Sequence, residues 1–158
     1  MPRVIVLDTF PLSSTAKQEP RPGVPHSVLD NCHQWVKECI RAGHLVVAPA
    51  ICYYEALREL ERLNASSQIA RLRGFCSAVP GRFLSVTDAD LDRAARLWAR
   101  ARNAGTPTAS ADSLDCDVIL AAQALALNIP VSDFILATTN PGHLSQFVPC
   151  DLWTNIVP

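Results

Sequence analysis

The sequence predicts an α/β fold in which a central parallel sheet is covered by helices on both faces. Three observations carry this. Short apolar runs rich in β-branched residues recur along the chain, beginning with Val4-Ile5-Val6-Leu7, and such runs suit strands buried on both faces. Between them lie stretches with the three-to-four-residue periodicity of amphipathic helices. The alternation persists from end to end, and strand–helix alternation builds parallel sheets through crossover connections.

The totals agree with one domain spanning residues 1–158. The chain is 49% apolar, 18% charged and carries a net charge of −1. That apolar fraction supports a core on both sides of a sheet without disulfides or metal staples. The low charge excludes a tail-like or strongly basic nucleic-acid binder and leaves room for a local basic surface. Twelve of the fourteen basic residues are Arg, whose planar fork pairs with phosphate in a way that Lys does not; a GC-rich coding sequence gives the same bias. Cys32, Cys39, Cys52, Cys76, Cys116 and Cys150 form no C-x-x-C and fit no zinc spacing. They read as reduced, mostly core thiols of a cytoplasmic protein. The first apolar run is too short for a signal sequence, and no apolar segment approaches a membrane span.

In order, residues 4–7 read as a strand ended by Asp8-Thr9-Phe10-Pro11-Leu12, and residues 13–25, with Pro20, Pro22, Gly23 and Pro25, as a loop. Residues 27–41 read as a helix whose stripe is Val28, Leu29, Cys32, Trp35, Val36, Cys39 and Ile40, closed by Ala42-Gly43. Residues 45–48 are a second strand stopped by Pro49, followed by helices over 51–63 and 67–77. Residues 83–86 are a short strand. Thr87 caps a helix reaching Asn103, with Asp88 and Asp90 in its first turn, where the helix dipole favours acids. A loop over 106–113 leads to a helix over 114–127, with Asp112 or Ser113 as a candidate cap. Phe134-Ile135-Leu136-Ala137 is a fourth strand, residues 141–146 a turn or short helix, and Leu152-Trp153 the start of a last strand.

Sites in open α/β sheets form beyond the carboxyl ends of the strands. Asp8 follows the first strand directly. Glu55 lies in the first turns of the helix after the second strand, and Asp115 and Asp117 in the opening turns of the helix entered from the 106–113 loop. All are expected at one edge. Carboxylates gathered there repel one another, and a hard cation, Mg²⁺ or Mn²⁺, suits such all-oxygen ligands. Three of the acids also have a plainer reading: Asp8 as a turn cap, Glu55 as a solvated helix acid beside Arg58 or Glu59, and Asp115 as a complement to the helix dipole. Asp117 precedes a helix apolar almost all round, so its carboxylate emerges at the one wet end.

Asp8 after its strand, Pro49-Ala50-Ile51 with Tyr54-Glu55, the run Asp117-Val118-Ile119-Leu120-Ala121-Ala122, and Ala137-Thr138-Thr139-Asn140 with Leu144 and Phe147 together resemble PIN-domain proteins. The nearest subgroup is the VapC-type toxin ribonucleases of bacterial toxin–antitoxin pairs. The resemblance spans nearly the whole chain in order. It implies a PIN-like three-layer α/β/α sandwich and a Mg²⁺- or Mn²⁺-dependent endoribonuclease with Asp8, Glu55 and Asp117 as its catalytic, metal-binding acids. It also implies a small antitoxin partner and a homodimer. The family's fourth acid is expected where this chain has His143, which puts a second metal position in doubt; Asp115 is the candidate to compensate. Thr138 and Asn140 are expected to orient waters or phosphate. His143 is either a surface residue or a hydrogen-bonding and proton-transfer group.

An RNA substrate needs flanking cations. Arg58 and Arg62 on the Glu55 helix are the first candidates, with Arg71 and Arg73 nearby, and Arg93, Arg96 and Arg100 form another stripe. Trp35 and Trp98 read as core. Two rivals stand. A phosphotransfer domain with an Asp after its first strand is disfavoured by Asp8-Thr9-Phe10 and by having only Lys17 and Lys37 as lysines. A non-catalytic or RNA-processing PIN-like module that binds RNA or a protein draws support from His143.

Overall fold

A computed structural model describes residues 3–111 and 114–158. Its strands are β1 (Val4–Leu7), β2 (Leu45–Pro49), β3 (Phe83–Leu84), β4 (Phe134–Thr138) and β5 (Cys150–Leu152). They form one sheet in the order β3-β2-β1-β4-β5. Every pairing is parallel, and Val6 is paired with Val47 on one side and Leu136 on the other. Ile5, Val6, Leu7, Val46, Val47, Ala48, Leu136 and Ala137 are no more than 1% exposed, as strands covered on both faces require. The helices are α1 (Thr9–Ser14), α2 (Val28–Arg41), α3 (Ala50–Arg62), α4 (Ser66–Ser77), α5 (Asp88–Asn103), α6 (Cys116–Ala126) and α7 (Pro141–Leu144). They flank the sheet and complete the expected α/β/α layering.

Local chemistry sets the helix ends. At α2 and α5, Ser27 with Asp30 and Thr87 with Asp90 form reciprocal capping boxes. α2 ends where Gly43 adopts φ 88°, which lets the His44 amide close back on the Cys39 carbonyl at 3.0 Å. Trp35 is buried and donates Nε1–H to the Ile156 carbonyl at 2.8 Å. Trp98 is half-buried, with the Arg102 guanidinium 4.6 Å from its ring centroid. All six cysteines are free; Cys32, Cys39, Cys52 and Cys76 are buried, and Cys116 and Cys150 half-buried.

The Asp30 carboxylate accepts from the Ser27 amide at 2.8 Å and hydroxyl at 2.7 Å, and the Lys17 ammonium lies 3.3 Å away. These donors hold it below its usual value of 3.8, at about 2. A carboxylate depressed in the folded state contributes stability above its unfolded pKa and loses it as pH falls through the folded one. Asp30→Asn is therefore expected to melt lower than wild type at pH 5, and the two proteins to converge as pH approaches 2. Thermal melts across that range measure this; parallel melting curves at every pH contradict it.

Several expectations are corrected. Residues 9–14 form a helix and not the start of a loop. Pro11, read as a breaker, sits in the first turn, where its missing N–H has no intrahelical partner to lose. β3 stops at Leu84 because only Ala48 and Pro49 of β2 are there to pair with it. α6 begins at Cys116 and Asp115 is its N-cap; Asp112 and Ser113, the expected caps, lie outside the described residues. β5 ends at Leu152, and Trp153 enters a 3₁₀ turn, its ring 5.8 Å from that of Trp35. Val28, placed on the apolar stripe of α2, is 64% exposed. Among the described residues no helix is long and apolar enough to cross a membrane.

Candidate functional site

β1 is followed in space by β2 on one side and by β4 on the other. The chain therefore reverses its winding at β1, and crevices form at the carboxyl ends of the strands at such switch points. Asp8 stands there. Its amide bonds to the Ala137 carbonyl of β4 at 3.0 Å. Its carboxylate caps α1 by accepting from the Thr9 amide at 2.7 Å, and accepts from the Thr138 hydroxyl at 2.6 Å. The Cys52 thiol lies 3.8 Å from the same carboxylate.

Glu55 reaches this edge from α3, and the Thr9 hydroxyl donates to it at 2.7 Å. Thr9 thus ties the two acids together, holding Asp8 through its amide and Glu55 through its side chain. Arg58 lies 3.5 Å from Glu55 and stacks over Tyr54. Asp117 enters from the first turn of α6, and His143 Nδ1 of α7 is 3.4 Å from its Oδ2. Asp115 is buried and occupied as a cap: it accepts from the Thr108 hydroxyl and the Val118 amide.

The acids perturb one another. Burial pushes the Asp8 pKa up and the Glu55 charge adds to the rise, against hydrogen bonds from Thr138, Thr9 and Cys52 that lower it. Asp117 is raised first by burial, then by the charges of Asp8 and Asp115, with His143 opposing. An oxygen-donor set under mutual repulsion fits a hard divalent cation. As placed, the side chains do not form a closed cage: among the described residues no three His, Cys, Asp or Glu groups are positioned to hold one ion. Glu55 is turned to Thr9 and Arg58, and Asp117 to His143, so a shared ion requires these carboxylates to rotate.

The structure therefore brings Asp8, Glu55, Asp117, Thr138, His143 and Arg58 to one edge. Thr138 bonds directly to Asp8. Asn140 caps α7 through its side chain and donates its amide to the Thr138 hydroxyl at 3.0 Å. Arg62 is paired with Glu59, Nε to Oε2 at 2.9 Å, and makes no contact with the acids. Arg71 donates to the Ala16 carbonyl at 2.6 Å, and Arg73 contacts Tyr53 and Glu61. Thr9 and Cys52 were missed in the sequence. Thr9 adjoins Asp8, and Cys52 lies three residues before Glu55 on one helix face, spacings that mark them as neighbours once the acids are chosen.

The fold is the PIN-like sandwich. Solved structures that share it include a chain of VapBC2 from Rickettsia felis bound to a DNA fragment from their promoter. That match has TM-score 0.67 and 14% identity, covering 95% of this chain and 98% of that one. A chain of the FitAcB structure from Neisseria gonorrhoeae matches with TM-score 0.64 and 20% identity over 96% and 99%. DNA-bound VapBC from Salmonella typhimurium gives TM-score 0.66 and 17% identity over 97% and 99%. No protein-family model and no curated protein sequence matches the chain. At these identities the shared property is the fold, and the resemblance to VapC-type PIN-domain proteins holds at that level.

Proposed function

We propose that the chain is a Mg²⁺- or Mn²⁺-dependent endoribonuclease that hydrolyses RNA phosphodiester bonds, acting in the cytoplasm as the toxin of a pair with a small antitoxin protein. The observation that carries this reading is the convergence of three acids from β1, α3 and α6 on the switch point of a PIN-like sheet. Asp8, Glu55 and Asp117 would hold the ion, with Asp115 as a further acid behind them. A bound ion of this kind neutralises phosphate charge and activates water. The Thr9 amide and the Thr138 hydroxyl fix the Asp8 carboxylate, and Arg58 offers a phosphate-pairing fork at its border. Support for a protein partner comes from the similar structures being those of VapBC and FitAcB; the resemblance to VapC-type proteins adds a homodimer. Six free thiols agree with a reducing compartment. The test is cleavage of structured RNA with Mn²⁺ by wild type and by Asp8→Asn.

A second reading, a non-catalytic module that binds RNA or a protein, is favoured by His143. An imidazole facing Asp117 replaces the acid that the resemblance leads one to expect and competes for the carboxylate. His143→Asp separates the two. As an enzyme site the variant is expected to bind Mn²⁺ about tenfold tighter, a gain of about 1.4 kcal/mol, and calorimetric titration measures it. Unchanged affinity assigns His143 to the surface and leaves the module without the observation that favours it.

A further inference from the structure

α3 begins without a cap of its own. Its N-cap is Pro49, which has no side-chain acceptor, and no cap hydrogen bond is made there. The first amides of a helix need acceptors from outside it. The Ile51 amide finds one in Oε1 of Gln123, at 3.2 Å, on α6. The same side chain donates from Nε2 to the Leu84 carbonyl, at the end of β3, at 2.7 Å. Gln123 is 2% exposed, its bond to Ile51 is buried and its bond to Leu84 part-buried, and leaving a backbone group unpaired there is costly. One amide thus ties together α3, α6 and β3. Glu55 lies one turn beyond Ile51 on α3, and Asp117 lies on α6 ahead of Gln123.

We infer that Gln123 is a positioning residue: its buried amide fixes α3 against α6 and thereby sets how closely Glu55 and Asp117 approach Asp8, and with it the metal affinity of the site. The inference rests on the reading under Proposed function. Gln123 touches none of the acids and acts only through the two helices that carry them. Ligating groups tolerate misplacement of only about 0.5 Å, so a small shift at the start of α3 reaches the ion.

The test uses the full chain and three variants. Gln123→Met keeps the length and removes both hydrogen bonds. Gln123→Asn keeps both polar groups but falls a methylene short. Trp35→Phe also removes one buried hydrogen bond, made by α2 to the Ile156 carbonyl, and serves as a destabilised control. Mn²⁺ binding is read by electron paramagnetic resonance below all melting temperatures, and exchange of the Ile51 amide by NMR. Gln123→Met is expected to weaken Mn²⁺ binding about tenfold, with faster Ile51 exchange. Gln123→Asn should shift in the same direction, while Trp35→Phe leaves both readouts at wild-type values. Wild-type Mn²⁺ affinity in both Gln123 variants despite faster exchange overturns the inference and leaves the proposed function standing. Absence of Mn²⁺ binding by wild type overturns the proposed function and this inference with it; faster Ile51 exchange in that case still identifies the clamp as structural.

Discussion

Asp8→Asn is expected to lower Mn²⁺-dependent RNA cleavage by about 10³-fold, the scale of losing a preorganised charge at a reacting centre, while the metal-free protein melts higher than wild type. Asn retains Oδ1 to cap α1, and the Thr138 hydroxyl can turn to accept from the new amide. What disappears is the charge. Burial and Glu55 raise the Asp8 pKa; a raised carboxylate favours the folded state below its unfolded pKa and loses that contribution as pH rises through the folded one. At neutral pH the wild-type charge therefore opposes folding. Relief of that charge raises the melting temperature, each kcal/mol being worth about 2–4 °C in a chain this size. Mn²⁺ should stabilise wild type by binding the native state alone and leave Asp8→Asn unmoved. Gel assays of cleavage and thermal melts at pH 7, with and without Mn²⁺, measure both effects. A variant that cleaves like wild type contradicts the assignment of Asp8.

Leu136→Ala is expected to be the more damaging change to stability. Leu136 is fully buried in β4, is paired with Val6 of the central strand, and is two residues from Thr138. Truncating a buried Leu removes its transfer free energy and leaves a cavity, together about 2–5 kcal/mol, which lowers the melting temperature by about 10 °C. Denaturant titration and thermal melts check the size; a loss below about 1 kcal/mol means that the strand repacks around the gap.

The central strands were legible in the sequence because burial on both faces demands unbroken apolar runs, and Asp8 stood out as the acid that ends the first of them. The N-cap at Thr87 was equally readable, with Asp88 and Asp90 in the turn after it; the reciprocal bond from Asp90 that makes it a capping box was not. α1 was not. Six residues are too few to display a helical period, and Pro11 has the same appearance in a first turn as in a loop. The extent of β3 depended on a partner strand far away in the chain. Asp115 looked helical because a cap and a first-turn acid differ by one residue. Candidate acids were visible individually, whereas their ties were not: Thr9 to Glu55, Thr138 to Asp8 and His143 to Asp117 join segments 46, 130 and 26 residues apart. Gln123 was hidden differently. Within the run Val118-Ile119-Leu120-Ala121-Ala122-Gln123-Ala124 it reads as a small interruption of an apolar helix, and only the uncapped start of α3 gives its amide a task.

Anomalous scattering from a crystal grown with Mn²⁺ tests the proposed shared metal site most directly. A peak bounded by the carboxylates of Asp8, Glu55 and Asp117, with Glu55 and Asp117 rotated away from Arg58 and His143, is the expected result. An ion bound elsewhere, or no peak at this edge at saturating Mn²⁺, contradicts it.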